Sequence, residues 1–244
     1  MKLKYFIFFL IPFFSCETAT PTFNQIKESI ANTVDNINLA GYNNEKDSNN
    51  WNIENLDTAE NIPYLNFEER NVILELNKVR SEPAKYATLY IEPRISKFTG
   101  LLYGYGDVRL KTNEGKKAVI ECVNALKKTR SMQVLSPNKE LFELARKQVE
   151  QQGPTGQTGH SAPTGLSFEG RVKQANLSFN FIGENIDYGN SHAREIVIAL
   201  LIDDGVPSRG HRKNIMTSQF SIVGLKIGNH KKYTNMCVID FGRN

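Results

Sequence analysis

The segment that most constrains the fold is residues 193–202, which is apolar on most of its sides when wound as a helix. A helix without a polar face must be covered by neighbouring elements. Other segments have the spacing of amphipathic helices or the pattern of strands, namely residues 67–79, 86–90, 114–128 and 138–152 for helices and 181–188, 222–227 and 237–241 for strands. The sequence therefore predicts an α+β fold with helices on both sides of a small antiparallel sheet.

The N-terminal residues 1–16 have the pattern of a signal peptide. Lys2 and Lys4 precede an almost wholly apolar run over residues 5–14. Spanning a bilayer takes about 20 residues, so this run is too short to do so. Ser15 and Cys16 then resemble the lipobox of bacterial lipoproteins. We expect an exported protein that is either secreted or anchored to a membrane through an acylated Cys16.

Residues 17–65 form an Asn-rich, acidic stretch, with eight acids against two lysines. Such a composition buries too little apolar surface to offset the entropy lost on ordering. We therefore predict a largely disordered linker followed by one domain over residues 66–244. Trp51 is the exception, since its large ring is suited to docking on the domain.

Two cysteines, Cys122 and Cys237, remain in the predicted domain. Export permits a disulfide between them, provided that their Cα atoms lie within about 7 Å. Two separate buried thiols are the alternative, and the sequence leaves both open.

Two histidines lie next to glycines in turn-rich segments: His160 in a loop over residues 153–165 and His211 in a loop over residues 203–214. Loops on a rigid scaffold often hold functional groups. Glu184 belongs to an apolar strand and therefore requires a cation, a metal or hydrogen-bond donors nearby; a structural salt bridge would satisfy it. The remaining histidines, His192 and His230, are expected at the surface.

The order of these motifs resembles the CAP superfamily of cysteine-rich secretory, antigen 5 and pathogenesis-related proteins. The run GENI at residues 183–186, the apolar helix and the run GHRKNI at 210–215 carry the resemblance, which extends over residues 66–241. It implies a three-layer α-β-α sandwich with a cleft of two histidines and two acids. The matching positions are His160, Glu184, His211 and Asp203, with Asp204 as the alternative to Asp203. The chain departs from the family pattern here, with Asp in place of Glu and with Leu200 and Leu201 in place of an aromatic pair.

Two imidazoles can bind zinc or another divalent metal, with Zn–N distances of about 2.0–2.1 Å. Glu184 and Asp203 would orient the imidazoles or bind the metal directly. We favour a non-catalytic binding or effector role, whose partner is a lipid, a sterol, a small ligand or a protein, because the sequence offers no dedicated nucleophile or third strong ligand. The alternative is a zinc-dependent hydrolase of peptide or cell-envelope substrates with Glu184 as general base. No nucleotide cofactor and no nucleic acid are expected.

Overall fold

A computed structural model describes residues 49–105 and 108–243 of the chain. The predicted signal peptide at residues 1–16, its Cys16 and most of the predicted linker lie outside the described residues. Within the described ranges, no helix is both long and apolar enough to cross a membrane.

The described residues contain eight α-helices and seven strands. The helices are α1 (Ile53–Leu56), α2 (Phe67–Ser81), α3 (Pro83–Tyr86), α4 (Lys116–Lys128), α5 (Lys139–Gln152), α6 (Phe168–Gln174), α7 (Ala193–Ile202) and α8 (Gly210–Ile215). The strands are β1 (Phe98–Thr99), β2 (Leu102–Tyr105), β3 (Val108–Lys111), β4 (Ser136–Pro137), β5 (Phe181–Tyr188), β6 (Ile222–His230) and β7 (Thr234–Arg243). A π-helical turn, Ala87–Ile91, and two 3-10 segments, Glu92–Lys97 and Gly153–Thr155, complete the element order.

The main sheet has the strand order β4-β6-β7-β5. Strand β7 is antiparallel to both β6 and β5, as predicted. The short strand β4 pairs parallel to β6 and makes the sheet mixed, because the chain passes along the edge of β6 on its way from α4 to α5. Among the described strands, β5 has a neighbour on one side only. A second antiparallel sheet, β1-β2-β3, occupies residues that the sequence pattern predicts as a loop at 96–113.

Helix α5 covers one face of the main sheet, and α2 and α7 cover the other. On the α5 side, Ala145 and Val149 pack against Ile186, Met236 and Val238. Gly224 permits the close approach, since a Cβ there would collide with the backbone of α5. Helix α7 is buried along most of its length. The predicted α+β architecture with helices on both faces of a small sheet is therefore confirmed.

The ordered domain begins at Trp51 rather than at the predicted boundary near residue 66. Trp51 is buried, and its indole N–H donates to the hydroxyl of Tyr90 at 2.9 Å. Asn77 of α2 donates to the carbonyl oxygen of Leu56 at 2.9 Å. Residues 51–65 are richer in apolar side chains than the Asn-rich stretch before them, and the burial of Trp51, Leu56 and Leu65 orders the segment.

The structure tests the expectations for four side chains, two cysteines and two histidines. Cys122 on α4 and Cys237 on β7 are both buried and unpaired, so the disulfide is not formed. Burial raises the pKa of the Cys122 thiol to about 11. The expectation that His230 lies at the surface is wrong, because it is buried and its Nε2 lies 2.8 Å from the carbonyl oxygen of Gln157. His192 is exposed, as expected.

Candidate functional site

The first side of the cleft is His160, which follows helix α5 and the Gly153–Thr155 turn. Its Nδ1 lies 2.9 Å from Oε1 of Glu184 on strand β5. The imidazole is 52% exposed, whereas the Glu184 side chain is 1% exposed. The hydrogen bond to Glu184 raises the pKa of His160 above its usual value, against the opposing effect of burial. The carboxylate therefore fixes one edge of a ring whose other edge faces outward.

Side chains of three elements hold the loop around His160. Gln152 of α5 donates to the carbonyl oxygen of Gly159 at 2.8 Å. The hydroxyl of Tyr188 on β5 accepts from the backbone N–H of Gly159 at 2.9 Å and donates to Gln152. Arg171 of α6 donates to the carbonyl oxygen of His160 at 3.1 Å. The Gly-rich loop is thus held in place by hydrogen bonds to two helices and a strand.

Glu184 has a buried cationic partner that the sequence did not identify. Arg171 lies on the short helix α6, which was not predicted, and its Nη2 lies 2.6 Å from Oε2 of Glu184. A second carboxyl, Asp240, is directly across from Glu184 on β7 and is fully buried. Burial and the charge of Glu184 raise the pKa of Asp240 well above its usual value. The expected cation near Glu184 is confirmed, and both oxygens of Glu184 are occupied.

The second side of the cleft is His211, which lies on the short helix α8 rather than in the predicted loop. Helix α7 ends at Ile202, and Asp203 caps it with a left-handed backbone whose φ is 57°. Asp203 Oδ1 lies 2.7 Å from Nδ1 of His211, and Asp203 Oδ2 accepts from the backbone N–H of His211 at 2.9 Å. The alternative acid, Asp204, instead accepts from the backbone N–H of Glu114 at 2.8 Å. Of the two acids, Asp203 is therefore the one paired with His211.

Strand β5 connects the two sides of the cleft. Consecutive side chains of a strand point to opposite faces, so Glu184 and Asn185 serve different partners. Glu184 contacts His160, whereas the Asn185 amide donates to the carbonyl oxygen of His211 at 3.0 Å. Asn214 of α8 donates to Asn185 Oδ1 at 2.8 Å. One dipeptide thus positions both histidines, which gives a structural reason for the spacing of the GENI and GHRKNI runs.

The two imidazoles lie close together, with ring centroids 6.4 Å apart and ring planes 39° apart. An ionised carboxylate can only accept a hydrogen bond, so each Nδ1 keeps its proton and donates to Glu184 or Asp203. The lone pair of each ring is then on Nε2, away from the carboxylate. Carboxylates hold metal-binding histidines in the same way in many proteins. His211 is the more enclosed ring, with a side chain that is 24% exposed.

The ring separation can be compared with that of a zinc site. A zinc ion about 2.0–2.1 Å from Nε2 would lie about 3.2 Å from a ring centroid, and two rings in tetrahedral coordination would have centroids about 5 Å apart. The observed 6.4 Å is therefore about 1 Å too wide. In the described part of the chain, no group of three or more His, Cys, Asp or Glu residues could hold a metal. The cleft thus offers two nitrogen ligands, and water would complete the coordination.

Comparisons with known proteins agree with the motifs. The model of the cysteine-rich secretory protein (CAP) family matches residues 120–241, which is half of the chain. The uncharacterized protein YkwD of Bacillus subtilis is 29% identical over 110 residues, which cover 45% of this chain and 41% of YkwD. The match therefore spans less than half the length of that relative.

Solved structures give a weaker likeness. An outer surface protein from Borrelia burgdorferi has 19% identity and a TM-score of 0.40, with coverage of 46% of this chain and 80% of that one. An extracellular protein with an SCP domain from Bacillus anthracis has 22% identity and a TM-score of 0.36, with coverage of 53% and 38% respectively.

Proposed function

The chain belongs to the cysteine-rich secretory protein (CAP) family, and on that basis we propose that its domain binds a divalent transition metal, such as zinc, between His160 and His211. The role is one of binding rather than turnover. Glu184 and Asp203 act as positioning residues that hold each imidazole with Nε2 free for the metal. The protein is exported, in either a secreted or a lipid-anchored form.

The observation that carries the proposal is the repeated pairing of Nδ1 with a buried carboxylate, at 2.9 Å for His160 and 2.7 Å for His211. The pairing occupies Nδ1 on both sides of one cleft and leaves Nε2 of each ring for a ligand. The carboxylate also increases the basicity of the ring, which strengthens the bond from Nε2 to a metal. With two protein ligands and water, and with imidazoles that must move about 1 Å closer to share one ion, the affinity should be modest.

The environment of Glu184 supports binding over hydrolysis. A general base must reach the proton that it abstracts. Oε1 of Glu184 is occupied by His160 and Oε2 by Arg171, and the side chain is almost fully buried. Asp203 is occupied in the same way by two groups of His211. A bound metal with open positions lowers the pKa of its water, and that chemistry underlies the alternative of a zinc-dependent hydrolase.

Isothermal titration with Zn²⁺ tests the site in four proteins: the native chain, His160→Ala, His211→Ala and His192→Ala. The last is a matched control, because His192 is also an exposed histidine near a carboxylate, 3.6 Å from Glu68. We expect one site, at least tenfold weaker in both cleft variants and unchanged in the control. Equal affinity for Zn²⁺ in all four proteins would contradict a metal site between His160 and His211.

The same variants distinguish binding from hydrolysis. Incubation with a peptide library and with cell-envelope material, with and without Zn²⁺, should give no products above background. Zinc-dependent products that disappear in His211→Ala would replace the binding role with the hydrolase.

Export is tested at the N-terminus by mass spectrometry of the mature protein from its own cells. A chain that begins at an acylated Cys16 would be lipid-anchored, and one that begins beyond Cys16 would be secreted. A chain that still carries residues 1–15 would contradict export.

A further inference from the structure

A second cavity, of about 290 Å³, lies between the small sheet, α4 and α7. Its apolar walls include Phe98, Tyr103, Val119, Ile198 and Ile202, and neither cleft histidine lines it. An engineered apolar cavity of about 150 Å³ is large enough to bind benzene. The present volume therefore suits a molecule with an aromatic ring and a short chain, at the lower end of the size of natural ligand pockets.

One wall of the cavity carries a buried carboxylate, Asp187, at the end of strand β5. Its two oxygens accept from the side-chain amide of Asn190 at 2.9 and 3.1 Å. The amide is neutral, as is the backbone N–H of Asn190 that also stabilises the carboxylate, and His211 of the metal cleft adds a favourable charge interaction. Burial raises the pKa of Asp187 to about 6, so the group is still ionised at pH 7.5.

Arg94, one of the two cations that line the cavity, is engaged by groups other than Asp187. The guanidinium of Arg94 donates to Glu195 at 2.8 Å and to the hydroxyl of Tyr103 at 3.3 Å, so its charge is already paired. The described residues that line the cavity carry two cations and three carboxylates, namely Arg94, Lys111, Asp187, Glu195 and Asp204. The cavity therefore combines apolar walls with a net negative charge.

Access to the cavity is open on the side of the small sheet. Leu110 on β3 lines the cavity and is 66% exposed. Leu110 pairs across the strands with Tyr103, another lining residue. Apolar surface thus continues from solvent into the cavity, which is the arrangement that an amphipathic molecule can follow.

We propose that this cavity binds a small amphipathic amine, with the apolar body against the walls and the ammonium group on Asp187. The ammonium would bring a positive charge next to Asp187 and donate a hydrogen bond to its carboxylate. Charge-assisted hydrogen bonds of this kind are about twice as strong as neutral ones. Neither cleft histidine lines this cavity, although the charge of Asp187 interacts with His211, and the cavity adds a second ligand class to the proposed binding role.

Three probes with one body and different head groups test the proposal: 4-phenylbutylamine, 4-phenylbutanol and 4-phenylbutanoate. Each is titrated calorimetrically into the full chain at pH 7.5 with a chelator present, so the result does not depend on any metal. We expect the amine to bind at least tenfold more tightly than the other two. Equal affinities, or no binding of the amine at 10 mM, would overturn the proposal.

Two variants locate the site. Asp187→Asn removes the charge with little change of shape and should reduce the preference for the amine to within about twofold, whereas Glu140→Gln on exposed α5 surface should leave it intact. Ala199→Phe fills the cavity from α7 and should weaken binding of all three probes. A preference that survives Asp187→Asn, or affinities that survive Ala199→Phe, would place the amine elsewhere. The native titration remains decisive if either variant fails to fold.

Discussion

The two sides of the cleft reach the same geometry by different means. On the His160 side, the histidine, its carboxylate and the cation that stabilises the carboxylate come from a loop, strand β5 and helix α6. On the His211 side, the histidine and Asp203 are eight residues apart, and the carboxylate accepts from both the ring and the backbone of His211. The first side depends on a buried ionic pair, and the second on a local turn.

This difference predicts which side is more sensitive to substitution. Without Arg171, the buried Glu184 would keep only the hydrogen bond to the half-exposed His160, and water does not reach the carboxylate to replace the lost cation. Beside Glu184 lies a second buried carboxyl, Asp240, whose two oxygens find no hydrogen-bond donor among the described residues. Asp203, in contrast, keeps the backbone N–H of its neighbour helix. Substitutions on the His160 side should therefore destabilise the fold more than those on the His211 side.

The largest effect is expected for Arg171→Met. It leaves the buried Glu184 with the half-exposed His160 as its remaining partner, so the loss should be about 3 kcal/mol in the free energy of unfolding, the lower end of the range for a broken buried ion pair. Urea denaturation of the variant measures this value. The double variant Arg171→Met, Glu184→Gln removes both charges and should recover most of the loss. A double variant as unstable as the single one would show that Arg171 contributes by packing rather than by charge.

A smaller effect is expected for Asp203→Asn. Asparagine tolerates the left-handed backbone at this position and can still accept one hydrogen bond, so the loss should be about 1 kcal/mol. The same denaturation experiment measures it, with Asp204→Asn as a neighbouring control that does not contact His211. A loss as large as that of Arg171→Met would contradict the proposed difference between the two sides.

The smallest effect on stability is expected from the titration of His160. Its folded-state pKa is raised above the unfolded value, so the stabilisation is fully present below about pH 6.5 and is lost as the pH rises through the raised pKa. Because half of the ring is exposed, water screens the interaction. NMR titration of the imidazole should give a pKa above 6.5 that falls in Glu184→Gln. An unchanged pKa of His160 in that variant would show that Glu184 does not raise it.

The sequence predicted the elements with strong periodicity and missed those that depend on contacts. Strand β5 and helix α7 begin and end where the apolar pattern predicts, because that pattern is also what buries them. The short helix α6 was missed, although Ser167 caps it by accepting from the backbone N–H of Gly170, since seven residues within a Gly-rich stretch carry little periodicity.

The composition of the candidate cleft could be predicted in part. His160, Glu184, His211 and Asp203 were grouped by resemblance to the family, and the structure brings them together. The ion pair between Arg171 and Glu184 could not be predicted, because neither spacing nor composition indicates which cation reaches a buried acid. The order of residues 51–65 was missed because the composition was averaged over residues 17–65, and the asparagines before Trp51 masked the apolar side chains that follow it.

The central claim is that the Nε2 atoms of His160 and His211 bind one metal together while both Nδ1 atoms stay on their carboxylates. Long-range ¹H–¹⁵N spectra of the imidazoles, recorded before and after one equivalent of Zn²⁺, test it most directly. We expect both rings to be protonated on Nδ1 at the start and both Nε2 signals to shift together. A shift of one ring alone, or of an Nδ1 signal, would contradict it.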